Sequence, residues 1–235
     1  MRFEAIAFDA DDTLWQTESY YRDAEASFLS LLAPYGVQAE TALEVFHRIE
    51  IANLEPFGFG IKGFIFSMIE AAVQVTGSKV SGQDILALIE LGRGMTRHEL
   101  NLLDHSAEAV SQLAESHPLI LITKGDLMDQ ERKINASGLA GYFKHVEIVS
   151  VKTAETYAAL LRRHGLPPER FLMIGNSMIS DILPVLEIGG WAVYVPHALT
   201  WAHETSPAPA ANHRFFQIEH LGQLPGLVAQ IEKQV

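Results

Sequence analysis

Asp9, Asp11 and Thr13 alternate at the end of a short apolar run, Ala5-Ile6-Ala7-Phe8. Two carboxylates this close repel each other unless a cation or a shared proton relieves them. Mg²⁺ favours oxygen ligands and phosphate partners, so the pattern points to metal-assisted phosphoryl chemistry. The plain alternative is an acidic cluster that caps the helix to follow. Asp12 and Glu18 suit that second role, because negative charge is favourable at the start of a helix.

Such groups need a frame to hold them. Residues 5–8 are apolar without alternation, as expected of a strand buried on both faces of a parallel sheet. The three polar residues then lie where the strand gives way to a loop, the edge at which open α/β sheets bind ligands. From 18 to about 100 the pattern is helical: Val45, Phe46 and Ile49 recur at helical spacing, as do Ile85, Leu88, Ile89 and Gly92. Ser81 and Asp84 form a capping-box pair. Phe57 to Phe64 interleaves three glycines with aromatics around Lys62 and reads as a loop or helix entry. Arg93 and Arg97 lie four apart on one expected helical face.

Alternation of strand and helix resumes at Ser106, a candidate cap for a helix to about 116. Strands are expected over 118–123, 145–149, 171–175 and 191–195, with a short one at 213–216. Helices are expected over 127–137, after a Thr153 cap with Tyr157, Leu160 and Leu161 on one face, and over 218–233. Thr123, Lys152, and Asn176 with Asp181 then fall at strand ends, on the same sheet edge as Asp9 and Asp11. The expected architecture is a doubly wound α/β core with an all-helical insert after the first strand.

This order of motifs resembles the haloacid dehalogenase-like hydrolase superfamily. Asp9-x-Asp11-x-Thr13 looks like its first motif, Thr123 its second, Lys152 its third, and Gly175-Asn-Ser-x-x-x-Asp181 its fourth. The resemblance implies a core over 1–15 and 104–235 and a helical cap over 16–103. It implies Asp9 as a nucleophile that forms an aspartyl-phosphate, and Asp11 as general acid and base. Thr123 would bond the phosphoryl group, and Lys152 would hold the nucleophile and neutralise charge. Mg²⁺ would be held by Asp9, the Asp11 main-chain carbonyl, Asn176 and Asp181. The expected substrate contacts are Thr13, Lys124 and Lys62. Asn176 departs from the pattern, since Asp is common there, and removes one negative charge from the site. Asp11 speaks for a phosphatase over a dehalogenase, which lacks an acid at that position. A phosphomutase shares the core chemistry, and a binding protein that kept the fold without turnover is the reading from another class. A phosphonatase would need a Schiff-base lysine, for which Lys62 is a conceivable candidate, although a lone loop lysine is usually solvated or binds charge.

The formal net charge of −12 argues against a nucleic-acid surface, and there are no cysteines for disulfides or thiolate chemistry. No stretch is long enough to span a membrane, and no signal segment is evident, which fits a cytoplasmic protein. The implied partner is a small phosphorylated substrate. The apolar segment 61–75 could serve a homodimer as well as a core. His197, Trp201, His203 and Glu204 follow the fifth strand. Their spacing matches no standard transition-metal site, so a loop bordering the site mouth is expected.

Overall fold

β1 (Ala5–Phe8) is apolar and buried along its whole length, so it requires a strand on each side and a layer on each face. In the computed structural model, which describes residues 2–201, 204–209 and 212–234, it has both. β1 pairs in parallel with β2 (Leu119–Lys124) on one side and β4 (Phe171–Gly175) on the other. β3 (Phe143–Val149), β5 (Trp191–Tyr194) and β6 (Phe215–Gln217) complete a parallel sheet of order β3-β2-β1-β4-β5-β6. The order reverses direction between β1 and β4, and ligands bind at such a switch point, beyond the strands' carboxyl ends.

Two apolar layers sandwich the sheet. One joins Phe8, Leu121, Leu172 and Ile174 to Val110 and Leu113 of α5 (Ser106–Ala114) and to Val228 and Ile231 of α9 (Leu224–Gln234). The other joins Ala7, Ile120 and Met173 to Tyr157, Leu160 and Leu161 of α7 (Ala154–His164). Thr153 caps α7, accepting the backbone N–H of Thr156. Between β2 and β3 runs α6 (Leu127–Ala136), and after β4 a π-helical turn, Met178–Ile182, leads into α8 (Leu183–Glu187).

One compact unit comprises 1–18, 100–124 and 130–235; the other comprises 19–99 with 125–129. The second is helical: α1 (Glu18–Leu32), α2 (Ala39–Phe57), α3 (Ile61–Val75) and α4 (Gly82–Met95). Phe28, Phe46, Phe64, Met68 and Leu88 form its core, so the apolar positions of α3 largely serve that core. Gly92 lets α4 approach α3: a Cβ there would stand 2.7 Å from Ile65. The capping box of Ser81 and Asp84 is present. Among the described residues no helix is long and apolar enough to cross a membrane.

The stretch 57–64 is the loop and helix entry expected: residues 58–60 link α2 to α3, with Gly58 (φ 72°) and Gly60 (φ 117°) in left-handed geometry, and 61–64 open α3. Several other expectations need correction. Ser106 does not cap α5; the cap is His105, at φ 67°, and the buried Ser106 hydroxyl has no hydrogen-bond partner among the described residues. Arg97 lies beyond the end of α4, while Arg93 pairs with Glu90 inside it. The terminal helix begins at Leu224, after a 3₁₀ turn at Leu221–Gln223. His203 lies outside the described residues.

The helical unit also carries a pH-sensitive group. Burial pushes the Glu50 carboxyl up to about 7, with His47 opposing and Glu25 adding to the rise. An unfolded glutamate titrates near 4.3, so between about pH 4.5 and 7 only the unfolded chain releases this proton. Glu50 therefore lowers stability as pH rises through that window, and the deficit is complete above it. Glu50→Gln should raise the thermal midpoint relative to wild type more at about pH 8 than at about pH 5. A pH-independent difference would refute this account.

Candidate active site

Leaving β1, the chain places Asp9 beside the end of β4, where its N–H donates to the carbonyl of Ile174 at 2.8 Å. The next residues fold into a tight loop closed by the Asp12 N–H to the Trp15 carbonyl, 2.7 Å. Asp12 takes a left-handed conformation (φ 57°), which aspartate tolerates better than most residues. Its carboxylate accepts from the backbone N–H groups of Thr17 (2.8 Å) and Glu18 (3.0 Å), so it caps the start of α1. The helix-capping role expected of the acidic cluster falls to Asp12. Asp9 and Asp11 are held elsewhere.

Lys152, three residues beyond β3, is buried and reaches two carboxylates. Its Nζ lies 2.5 Å from Asp9 Oδ1 and 2.7 Å from Asp181 Oδ1. Burial works against the ammonium, but Asp181 and Asp9 outweigh it and hold the pKa well above that of an ordinary lysine. Burial also pushes the Asp181 carboxyl up, against the pull of Lys152 and with Asp9 reinforcing the rise. Asp9 Oδ2 accepts from Thr13 Oγ1 at 2.9 Å, and the same hydroxyl lies 3.2 Å from Asn176 Oδ1. Residues from the loop after β1, the segment after β3 and the turn after β4 thus converge on one buried polar cluster.

The turn after β4 needs its glycine. A Cβ on Gly175 would lie 2.2 Å from Asp181 Oδ2, so a side chain would drive Asp181 out of place. The π-helical turn brings Asp181 back over that glycine, where its Oδ2 accepts the N–H of Ser177 at 3.0 Å. Tyr157 buttresses the turn from α7, donating its hydroxyl to the Ser180 carbonyl at 3.1 Å.

Asp11 is engaged by a separate set of donors. Lys133 Nζ lies 2.6 and 2.7 Å from its two oxygens, and Gln130 Nε2 donates to Oδ2 at 2.8 Å. Trp15 Nε1 (2.8 Å) and Thr17 Oγ1 (2.9 Å) donate to Oδ1. Burial alone would raise Asp11, but Lys133, Gln130 and Trp15 outweigh it and hold the carboxyl below its usual value.

The other expected residues divide. Thr123 is buried at the end of β2, on the same sheet edge. Lys124 turns to Ser180 Oγ (2.9 Å) and pairs with Glu204, whose carboxylate also accepts from the hydroxyls of Ser177 and Ser180. Lys62 belongs to the helical unit, where it is 60% exposed and pairs with Asp126 at 2.8 Å. His197 stands 3.7 Å from Asp12 rather than with Glu204. Lys133 and Gln130 carried no sequence signal toward the site beyond being polar, whereas Glu204 stood in the loop expected at the site mouth and pairs with Lys124. Asp9, Asp181 and Asn176 present carboxylate and amide oxygens only, a donor set that suits a hard dication.

A family model described as haloacid dehalogenase-like hydrolase matches residues 3–189. The chain is 24% identical over 249 residues to mouse N-acylneuraminate-9-phosphatase, covering 100% of this chain and 97% of the relative. It is 28% identical over 212 residues to the glyceraldehyde 3-phosphate phosphatase of Methanothermobacter thermautotrophicus, covering 85% and 88%. A haloacid dehalogenase-like family hydrolase from Xanthomonas campestris superposes with a TM-score of 0.87 at 37% identity, covering 99% of this chain and 97% of that one.

Proposed function

The chain belongs to the haloacid dehalogenase-like hydrolases, and from that premise we propose that it is a Mg²⁺-dependent phosphatase acting on a small phosphorylated metabolite. The observation that carries this reading is the pair of separately held carboxylates two residues apart. Asp9 is gripped by Lys152 and Thr13, and Asp11 by α6 and its own loop.

Asp9 attacks phosphorus and the bond to the leaving oxygen breaks, giving an aspartyl-phosphate. Asp11 in its protonated form delivers its proton to that oxygen, and the resulting carboxylate then takes one from the water that attacks the acyl phosphate. Thr123 donates to a phosphoryl oxygen, and Lys152 offsets negative charge beside Asp9. Asp9, the main-chain carbonyl of Asp11, Asn176 and Asp181 would hold Mg²⁺, which when bound supplies positive charge to the transferring group. A dehalogenase has no use for an acid at position 11, and this favours phosphate esters over haloacids. Thr13 and Lys124 lie at the site and Lys62 in the helical unit; their substrate contacts, like the core and cap roles of the two units, belong to the same proposal.

The names of the relatives set the first esters to try, N-acylneuraminate 9-phosphate and glyceraldehyde 3-phosphate, beside an aryl phosphate and a 2-haloacid. Phosphate release that stops with chelator and returns with Mg²⁺ is expected, with no halide release. Halide release, or phosphate release indifferent to chelator, would overturn the reading.

A further inference from the structure

An acid–base carboxylate works only if its oxygens point where protons must travel, and Asp11 stands in a loop, with its side chain still 25% exposed. Local sequence supplies part of its orientation through Trp15 and Thr17, both on Oδ1. The rest comes from far along the chain. Lys133 and Gln130 stand one turn apart on α6 and reach Asp11 across 122 and 119 residues of sequence. Lys133 spans both oxygens, and Gln130 holds Oδ2 alone.

These two side chains are not casual surface partners. Lys133 is 8% exposed and Gln130 2%. Immobilising either costs side-chain entropy, which a loose contact would not offset. The amide of Gln130 has one sensible orientation. Its Nε2 faces two acceptors, Asp11 Oδ2 and the Lys124 carbonyl at 3.0 Å, so a flipped amide would set oxygen against oxygen twice. In that orientation the buried Oε1 has no hydrogen-bond partner among the described residues, so the amide is fixed by its Nε2 contacts alone. Gln130 thereby ties Asp11 to the end of β2, next to Thr123.

We propose that Lys133 and Gln130 are positioning residues that aim Asp11 for proton transfer. The inference rests on the phosphatase reading, and its effect depends on how much a leaving group needs the proton. An alkoxide cannot depart without one, whereas 4-nitrophenolate can. The test compares kcat/KM, which reports the phosphorylation step, for an alkyl phosphate and 4-nitrophenyl phosphate in wild type, Lys133→Met, Lys133→Arg and Gln130→Met. General acid–base catalysis contributes about 10²–10⁴-fold, so Lys133→Met should lose about 10²-fold on the alkyl ester and less than about 5-fold on the aryl ester. Gln130→Met, which leaves the ion pair in place, should show the same selectivity at smaller size, and Lys133→Arg should recover part of the loss. Equal losses on both esters would show a merely structural role and overturn the proposal, as would full activity of Lys133→Met and Gln130→Met on the alkyl ester. Wild type that hydrolyses neither these nor the other phosphate esters would overturn the phosphatase reading itself, and the two failures are therefore distinct.

Discussion

Asp9→Asn is expected to give a folded protein whose phosphate release falls by on the order of 10⁴-fold or more, the scale seen when a nucleophile is removed. An amide cannot displace the leaving oxygen, and among the described residues neither Asp181 nor Asp11 is poised to replace Asp9. Asp181 shares Lys152 but is buried, 1% exposed, and Asp11 is tied to Lys133. The fold should survive, because Asn fills the same volume, can still accept from Thr13, and leaves Lys152 paired with Asp181. The measurement is phosphate release together with the thermal unfolding midpoint. A variant that keeps its midpoint and more than about a tenth of wild-type turnover would remove Asp9 from the nucleophile's role.

Lys152→Met should damage both stability and turnover. Lys152 stands between two carboxylates in a cluster where its own side chain is 1% exposed. Removing it leaves Asp9 and Asp181 facing each other with no cation, and breaking a buried ion pair by deleting one partner costs about 3–5 kcal/mol. Part of that loss should return on acidification, as a shared proton replaces the missing ammonium. Added Mg²⁺ should also restore stability if it binds the vacated carboxylates. Turnover should not recover in either case, because neither restores a fixed cation beside Asp9 in the same geometry. Denaturant unfolding at neutral and mildly acidic pH, with and without Mg²⁺, reads this directly. A variant as stable as wild type at neutral pH would show that the two acids do not depend on Lys152 for neutralisation.

The parts legible in the sequence are those set by local pattern. β4 occupies the residues expected of it, because an uninterrupted apolar run ending in Gly175 has little else to become. The cap of α7 was readable for the same reason: Thr153 lies just before an amphipathic run. Ser106 failed by that same test. Whether a residue caps a helix depends on the backbone angles of its neighbours, and here His105 took the left-handed position that made it the boundary. Phe57 to Phe64 is readable as a loop and helix entry because its glycines interrupt helical periodicity, and residues 58–60 make the link before α3 opens at Ile61.

The candidate site divides along the same line. Asp9, Thr13, Lys152, Asn176 and Asp181 follow strands, and the parallel topology delivers strand ends to one edge regardless of sequence distance. Lys133 and Gln130 lie within a helix, where reaching Asp11 depends on the helix's rotation and distance from the sheet, neither of which a single polar residue encodes. Glu204 lies in a stretch rich in Pro, Ala and His, where the sequence has no periodicity to aim it.

The π-helical turn at Met178–Ile182 has a consequence for how this chain is compared with its kin. A π turn lengthens the repeat by about one residue relative to an α turn, so it behaves as a single-residue insertion absorbed without lengthening the path. A relative whose corresponding turn is α-helical would place its acid above the glycine with one residue fewer. A gapless alignment through this point would then equate Asp181 with that relative's next residue, and every assignment downstream would slip by one. The reliable anchor is spatial: the acid that lies against the Cα of the strand-ending glycine, wherever the count places it.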